Sequence, residues 1–258
     1  MQNAEIERKI KGAIGKKILF YETVGSTNSV ALDLAAREGE GTVILSDSQE
    51  KGRGRLGRPW ISPPGVNIYM TVILKPEVKA RVATLITLMA AVACAVALRK
   101  ATGIDVQIKW PNDLTVSGRK LGGILTELKI HGDTIVTAVV GIGINVNIDA
   151  KNLPGEISKT ATSVEIETGK RFSREDIVAE ILNEMQEWYA ALKRMDRETI
   201  LSGWRDRAST IGMHVEVTAG SDTYNGLAES IDEEGRLLLR LPSGEIKKIS
   251  SGDLTILR

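Results

Sequence analysis

The residues with the clearest chemical potential lie in one short stretch, QEKGRGRLGRPWISPPG, between Gln49 and Gly65. Three of its glycines have the spacing G-x-G-x-x-G, and Arg53 and Arg55 stand between them. Guanidinium groups on a flexible backbone suit a carboxylate or a phosphate, because each group binds two oxygens at once. The stretch therefore predicts a loop that binds an anion.

Familiar phosphate-binding motifs do not explain this loop. A dinucleotide site requires a helix directly after the glycines, whose N-terminus meets the pyrophosphate. Three prolines follow instead, and they oppose a continuous helix. The Gly-Lys-Ser/Thr of a Walker loop and the His-Arg-Asp of a protein kinase are both missing from the sequence. A solvated basic turn remains the alternative, although Leu56 and Trp60 are poor choices for one.

Further clusters of polar residues and glycines follow along the chain: Ser26-Thr27-Asn28, Lys109-Trp110-Pro111-Asn112-Asp113, Arg119-Lys120-Leu121-Gly122-Gly123 and Gly141-Ile142-Gly143-Ile144-Asn145. The amide of Asn112 suits an adenine edge, the carboxylate of Asp113 suits Mg²⁺, and Lys120 suits a phosphate or carboxylate. Each cluster also has a purely structural interpretation, namely a helix cap, a turn, a solvent-exposed hairpin or a β-bulge. Taken singly, none of them decides between the two.

The composition sets limits on the kind of protein. The 258 residues, 42% of them hydrophobic, are enough for one large domain or two smaller ones. The net charge of +1 gives no overall nucleic-acid footprint. The single cysteine, Cys94, excludes an intramolecular disulfide, and its apolar neighbours predict packing rather than catalysis. The N-terminal residues lack a long apolar segment, so we expect a cytoplasmic protein.

One apolar segment, VATLITLMAAVACAVAL, raises the question of a membrane span. It is at the short limit of the roughly 20 residues that a span needs, and it contains Thr84 and Thr87. It therefore predicts a central buried helix, and we expect no membrane association.

The pattern along the chain predicts an α+β fold. Strands are expected at 17–24, 42–49, 67–74, 106–110 and 134–140, with a hairpin around 117–119, an irregular segment at 151–169 and a capped helix at 173–195. A shorter helix is expected around Trp204. From about Ile211, short alternating segments separated by turns predict a small antiparallel β-barrel. We therefore expect a mixed-sheet domain at 1–208 and an all-β domain at 209–258.

Taken together and in their order, these blocks resemble the biotin–protein ligases, and G-R-G-R-x-G-R-x-W and K-W-P-N-D are the most specific of them. The resemblance implies a class II synthetase-like (biotin–lipoate ligase) fold, a mixed sheet packed with helices, followed by an SH3-like C-terminal β-barrel. It also implies that MgATP and biotin form biotinyl-5′-AMP. A lysine of a biotin carboxyl carrier domain then takes the biotinyl group, and no nucleophilic side chain of the enzyme is needed.

The resemblance also implies the roles of individual residues. The biotin-binding residues would be Ser26, Thr27, Asn28, Gln49, Arg53, Gly54, Arg55, Lys120, Gly123 and Gly143. The ATP-binding residues would be Arg53, Arg55, Trp60, Lys109, Asn112, Asp113, Lys120 and Asn145. The catalytic residues would be Arg53, Arg55, Lys120 and Asp113, of which Asp113 would also contact Mg²⁺.

The sequence departs from some members of the family. About 16 residues precede the first strand, too few for a DNA-binding helix-turn-helix, so we expect no DNA regulation. No aromatic residue lies at 151–163 to stack on adenine, so an apolar or main-chain contact is expected there. A homodimer is expected by analogy alone.

Two other functions are weaker alternatives. A lipoate or octanoate ligase or transferase of the same superfamily would carry an Arg-Arg…Gly-Gly-Gly…His-Asp pattern, which this chain lacks. A nucleic-acid-binding module would need a broad basic surface and stacking aromatics, and aromatics make up only 4% of the residues.

Overall fold

The larger of two β-sheets forms the framework of the protein. The structure is a computed structural model that describes residues 1, 3–153 and 155–257. The strands of this sheet are β1 (Ile18–Val24), β2 (Val43–Gln49), β3 (Ile68–Leu74), β4 (Val78–Lys79), β5 (Gln107–Lys109), β6 (Asp113–Val116), β7 (Arg119–His131) and β8 (Thr134–Ile144). Their order is β1-β2-β3-β8-β7-β6-β5, with β4 paired to the outer end of β8. The pair β1–β2 is parallel and the others are antiparallel, so the sheet is mixed.

Six helices accompany the described strands: α1 (Asn3–Glu7), α2 (Thr27–Leu34), α3 (Ala83–Thr102), α4 (Val164–Thr168), α5 (Arg174–Lys193) and α6 (Arg197–Arg205). Helix α3 packs against α5, α6 and strand β7. The segment Ala80–Thr102 is long and apolar enough to cross a membrane, but 72% of its most apolar window is buried inside the protein. The predicted central buried helix is therefore confirmed.

Helix α2 brings the first polar cluster to the middle of the sheet. It packs against β2, β3 and β8, where Ala31 and the C-cap residue Ala35 share one apolar cluster with Ile44, Ile73 and Val139. Ser26 occupies the N-cap position, yet its side chain makes no capping hydrogen bond. The helix-cap interpretation therefore does not account for this serine.

Two sequence-based expectations need correction. Strand β8 does not end at Val140 but continues through Gly141 and Gly143 to Ile144, because both glycines pair in register with β3 and β7. The segment expected to be irregular contains α4 and a 3₁₀ turn at Gly155–Lys159. Each is only five residues long, too short to create a helical periodicity in the sequence. Pro154, part of that expectation, lies outside the described residues.

The expectations for α5 and α6 are confirmed. Helix α5 begins after Ser173, whose Oγ accepts a hydrogen bond from the backbone N–H of Asp176 at 3.1 Å. This is the capping contact that the Ser-x-x-Asp pattern predicts. Trp204 lies on α6 and is fully buried.

The C-terminal residues form a second, antiparallel sheet, as predicted. Its strands are β9 (His214–Ala219), β10 (Asp222–Ile231), β11 (Leu237–Arg240), β12 (Ile246–Ile249) and β13 (Asp253–Ile256), in the order β12-β11-β10-β9-β13. Trp110 joins it to the larger sheet, because its indole Nε1 donates to the carbonyl of Gly235 at 3.2 Å and its backbone N–H donates to Thr210 Oγ1 at 3.0 Å. This docking brings the start of β13 close to the arginine-rich loop.

Candidate active site

A cavity of about 390 Å³ lies on one face of the larger sheet, at its centre. Its floor consists of Gly123, Gly141 and Gly143, which share a face because side chains alternate along a strand and because Gly123 and Gly143 are paired in register. A Cβ atom at Gly143 would lie 2.7 Å from the Trp60 ring, and one at Gly141 would lie 2.1 Å from Asn28 Oδ1. The glycines therefore let both side chains lie directly on the sheet.

The cavity collects most of the residues that the resemblance suggested. Those lining it are Ser26, Thr27, Asn28, Gln49, Arg53, Gly54, Arg55, Trp60, Asn112, Asp113, Lys120, Gly123, Gly143 and Asn145. Lys109 is not among the lining residues, which departs from its expected contact with ATP. It lies on β5, the edge strand of the sheet, farther from the floor.

One end of the cavity carries neutral polar groups. Gln49 Oε1 accepts from the backbone N–H of Thr27 at 2.9 Å, and Thr27 Oγ1 lies 3.1 Å away. Thr71 Oγ1 contacts Thr27 Oγ1 at 2.9 Å and Asn28 Oδ1 at 2.7 Å. Such fixed, buried amides and hydroxyls suit a neutral ligand that both donates and accepts hydrogen bonds.

The other end carries charge. Lys120 Nζ lies 2.6 Å from Asp113 Oδ1 and 5.7 Å from the centre of the Trp60 ring. The indole Nε1 of Trp60 is buried and has no hydrogen-bond partner among the described residues. A buried donor without a partner costs free energy, which is the cost of laying this ring on the sheet.

Arg55 reaches the cavity from the loop above it. Its Nη1 donates to Asn112 Oδ1 at 2.9 Å, and Asn112 Nδ2 donates in turn to the carbonyl of Ile124 at 2.9 Å. Burial lowers the pKa of Arg55, while the nearby Asp113 carboxylate opposes that shift. Arginine stays charged at neutral pH even so, and the guanidinium is a partly desolvated cation.

The residues 51–60, which we name the arginine–glycine loop, are held at their base and at two arginines. At the base, Gln49 Nε2 donates to Ser62 Oγ at 2.9 Å, and the Gln49 backbone N–H donates to the carbonyl of Ser62 at 3.3 Å. Arg53 Nη2 lies 2.8 Å from Glu127 Oε2. Arg58 forms an ion pair with Asp253 of the C-terminal sheet.

An apolar wall closes the side of the cavity next to Asn145. The wall consists of Ile148, Leu153 and Ile157, which line the cavity. Beside it, Asn145 Nδ2 donates to the carbonyl of Thr162 at 3.0 Å. Leu153 and Ile157 belong to the segment in which the sequence offers no aromatic residue, so aliphatic side chains line this part of the cavity.

Three contributors were missed from the sequence: Thr71, Glu127 and Asp253. Thr71 interrupts an apolar strand with a polar group, and strand alternation is the signal by which it was detectable. Glu127 follows Thr126 in a mixed polar and apolar stretch that gives no such signal. Asp253 belongs to the C-terminal sheet and gives no such signal, because only the docking of the two sheets brings it to the loop.

Comparison with known proteins agrees with the fold. Residues 21–145 match the model of the biotin/lipoate A/B protein ligase family, and residues 210–254 match that of the biotin protein ligase C-terminal domain. The bifunctional ligase/repressor BirA of Bacillus spizizenii is 34% identical over 99% of this chain and 79% of its own length. A biotin–[acetyl-CoA-carboxylase] ligase of Paracoccus denitrificans is 35% identical over 85% of this chain and 92% of its own length.

A solved structure is similar as well. The biotin protein ligase of Aquifex aeolicus, in complex with biotin and ATP, superimposes with a TM-score of 0.80 and 30% identity, covering 94% of this chain and 99% of that one. The chain therefore belongs to the biotin/lipoate A/B protein ligase family, and within it to the biotin protein ligases. The predicted resemblance and fold class are both confirmed.

Proposed function

We propose that this protein activates biotin with MgATP as biotinyl-5′-AMP and transfers the biotinyl group to a lysine of a biotin carboxyl carrier domain. The observation that carries the proposal is one cavity with a neutral polar end at Gln49 and Thr27 and a cationic end at Arg55 and Lys120. A ligand with a polar neutral ring and an acidic tail fits that polarity. The relatives that carry biotin and ATP, or act on acetyl-CoA carboxylase, support the assignment.

In the first step, a carboxylate oxygen of biotin attacks the α-phosphorus of ATP, and the bond to the bridging oxygen of pyrophosphate breaks. Both reactants are anions, so cations must gather them and stabilise the charge of the transition state. Arg53, Arg55 and Lys120 are the groups we assign to that task. In the second step, the carrier amine attacks the biotinyl carbonyl, AMP leaves with the bonding electrons, and the amine loses a proton.

The neutral groups set the orientation of the two substrates. Thr27, Asn28 and Gln49 bind the ureido ring of biotin in this proposal. Asn112 retains one N–H and one lone pair beyond its internal hydrogen bonds, and these suit an adenine edge. The wall of Ile148, Leu153 and Ile157 packs on the adenine face.

In this proposal Mg²⁺ enters the site with ATP, as part of the MgATP substrate. No group of three or more His, Cys, Asp or Glu side chains is placed to hold a metal within the described part of the chain. Mg²⁺ is commonly held by one or two carboxylates together with substrate phosphates, and Asp113 fits that limited role.

The wider setting of the enzyme is also proposed by analogy. The partner is the carrier protein or domain of a biotin-dependent carboxylase such as acetyl-CoA carboxylase. A cytoplasmic homodimer that does not bind DNA remains our expectation.

The test is biotin-dependent exchange of pyrophosphate into ATP, followed by mass spectrometry of a carrier domain incubated with enzyme, biotin and ATP. We expect exchange only when biotin is present and a single biotinyl mass increase on the carrier. Lipoate and octanoate replace biotin in parallel reactions. Exchange with lipoate but not with biotin would establish the nearest alternative instead, and a folded protein without exchange would reject the ligase.

A further inference from the structure

One carboxylate joins the floor of the cavity to the loop above it. Glu127, on β7, lies behind the arginine–glycine loop with a side chain that is 28% exposed. Its Oε2 atom accepts from Asn28 Nδ2 at 2.8 Å and from Arg53 Nη2 at 2.8 Å. The same oxygen therefore has one partner in the neutral end of the cavity and one in the loop.

The partners of Asn28 fix the orientation of its side-chain amide. Nδ2 donates to the carbonyl of Leu125 at 3.1 Å as well as to Glu127, while Oδ1 accepts from Thr71. Both partners of Nδ2 only accept hydrogen bonds, and a carboxylate does so while it is ionised. A rotated amide would place its oxygen against two acceptors.

The hydroxyl group of Thr71, next to Asn28, then has a defined direction. Thr71 has one hydroxyl proton, and because Asn28 Oδ1 can only accept, the 2.7 Å contact directs that proton toward Asn28. Donation runs from Thr71 through Asn28 to the carboxylate of Glu127. Thr27 Oγ1 lies 2.9 Å from Thr71 Oγ1 and 3.1 Å from Gln49 Oε1, so the network anchored at Glu127 reaches the neutral end of the cavity.

The same carboxylate is the anion that Arg53 contacts in the structure. The Arg53 side chain is 41% exposed and lies on the loop, while Glu127 is part of a central strand. Charge-assisted pairing to a rigid strand restricts a loop that glycines would otherwise leave free to move.

We propose that Glu127 is a positioning residue that orders the biotin head-group site and holds the arginine–glycine loop against the cavity. This inference rests on the proposed ligase function. Glu127 itself touches neither substrate; it acts through Asn28 on the biotin ring and through Arg53 on the loop.

The first test is Glu127→Gln, which keeps the shape of the side chain and removes its charge. A charge-assisted hydrogen bond is worth about 1.5–3 kcal/mol, so we expect the KM for biotin to rise about tenfold or more. The KM for ATP should rise less, by up to about fivefold, because Glu127 reaches the ATP-binding groups only through its partly exposed ion pair with Arg53 and such pairs contribute at most about 1 kcal/mol. Glu127→Asp, which keeps the charge, should restore part of the biotin affinity.

The matched control is Glu22→Gln, an exposed glutamate on β1 outside the cavity lining. If wild type shows no biotin-dependent exchange, the proposed function fails. If wild type and Glu22→Gln exchange normally and Glu127→Gln does not raise the biotin KM above the change in the ATP KM, the positioning role is wrong while the function stands.

A second test needs no activity and also covers a Glu127→Gln protein that fails to fold. Arg53→Gln removes the loop partner from an exposed position. Exposed ion pairs are worth up to about 1 kcal/mol, so tryptic cleavage after Arg55 in the ligand-free protein should accelerate up to about fivefold. Unchanged cleavage would overturn the loop role. Where Glu127→Gln folds, it should accelerate tryptic cleavage as much as Arg53→Gln does. The variant with both substitutions should be cleaved no faster than either single variant.

Discussion

Arg55 combines a positive charge with partial burial. Its guanidinium lies over the cavity, is partly desolvated, and contacts Asn112 at 2.9 Å. Attraction between a desolvated cation and a ligand anion is stronger than the same attraction in water. The residue is therefore suited to retaining an anionic intermediate, and less so to capturing a dissolved one.

We expect Arg55→Gly to release biotinyl-5′-AMP about tenfold faster or more, because one charge-assisted hydrogen bond of about 1.5–3 kcal/mol is lost. Escaped adenylate would then biotinylate lysines on bystander proteins. The measurements are adenylate dissociation by rapid filtration and biotin blotting of a mixed protein sample. Arg55→Lys keeps the charge, so its adenylate dissociation rate should lie between those of wild type and Arg55→Gly. A glycine variant that still labels only the carrier, with an unchanged dissociation rate, would contradict this role.

Lys120 has a different task, because its ammonium group lies in contact with Asp113 at 2.6 Å rather than on the loop. We expect Lys120→Ala to slow adenylate formation about 100-fold, the usual cost of losing one transition-state contact. Single-turnover kinetics measure this step directly. Lys109→Ala is the matched control, since Lys109 does not line the cavity, and its rate should remain within about twofold of wild type. Equal effects of the two substitutions would remove Lys120 from the catalytic groups.

At the scale of elements, the site depends on glycines in two neighbouring strands, Gly123 in β7 and Gly141 and Gly143 in β8. Glycines at alternate positions of β8 create a smooth floor, and Trp60 from the loop lies on Gly143. A loop and a sheet are thereby brought into direct contact, which larger residues would prevent.

Gly143→Ala tests that contact. The added methyl group would lie 2.7 Å from the indole ring, so Trp60 must move. We expect adenylate formation to fall about tenfold or more, since small displacements at an active site are costly. Gly25→Ala is the control, because its added methyl group would have nothing within 4 Å. The measurement is the rate of pyrophosphate exchange in both variants. A normal rate for Gly143→Ala would mean that Trp60 need not lie on the floor of the cavity.

The sequence predicted the elements that carry their own local signals and missed those that depend on distant neighbours. Strands, the buried helix α3 and the Ser173 cap follow from periodicity and capping chemistry, which are properties of neighbouring residues. The glycines of β8 were mistaken for the end of a strand, because the side chains that require their small size come from elsewhere in the chain. For the same reason the motifs located the cavity residues, whereas Glu127 emerged only from the fold.

On the scale of the whole molecule, the C-terminal sheet takes part in the site through Asp253, which lines the cavity and pairs with Arg58. This pair raises the pKa of Arg58. The docking through Trp110 fixes the distance between the two sheets. The division of the chain at residue 208 remains a prediction.

We expect Asp253→Asn to raise the KM for ATP modestly, by less than about fivefold, because exposed ion pairs contribute at most about 1 kcal/mol. The difference from wild type should vanish at about 1 M salt, where the screening length is about 3 Å. Asp133→Asn, which breaks an exposed pair with Lys79 outside the cavity, is the control. Steady-state kinetics at low and high salt measure both. A difference that persists at high salt would mean that Asp253 acts through something other than this pair.

The paired hydrogen bonds between Gln49 and Ser62 have a consequence for the arginines between them. Because these hydrogen bonds hold the two ends of the loop together, its arginines stay at a high effective concentration at the cavity mouth. The entropy of closing a loop grows slowly with length, by about 0.6 kcal/mol for each doubling. Lengthening the loop between Gln49 and Ser62 should therefore lower this effective concentration gradually. Breaking the Gln49–Ser62 contacts should remove it altogether.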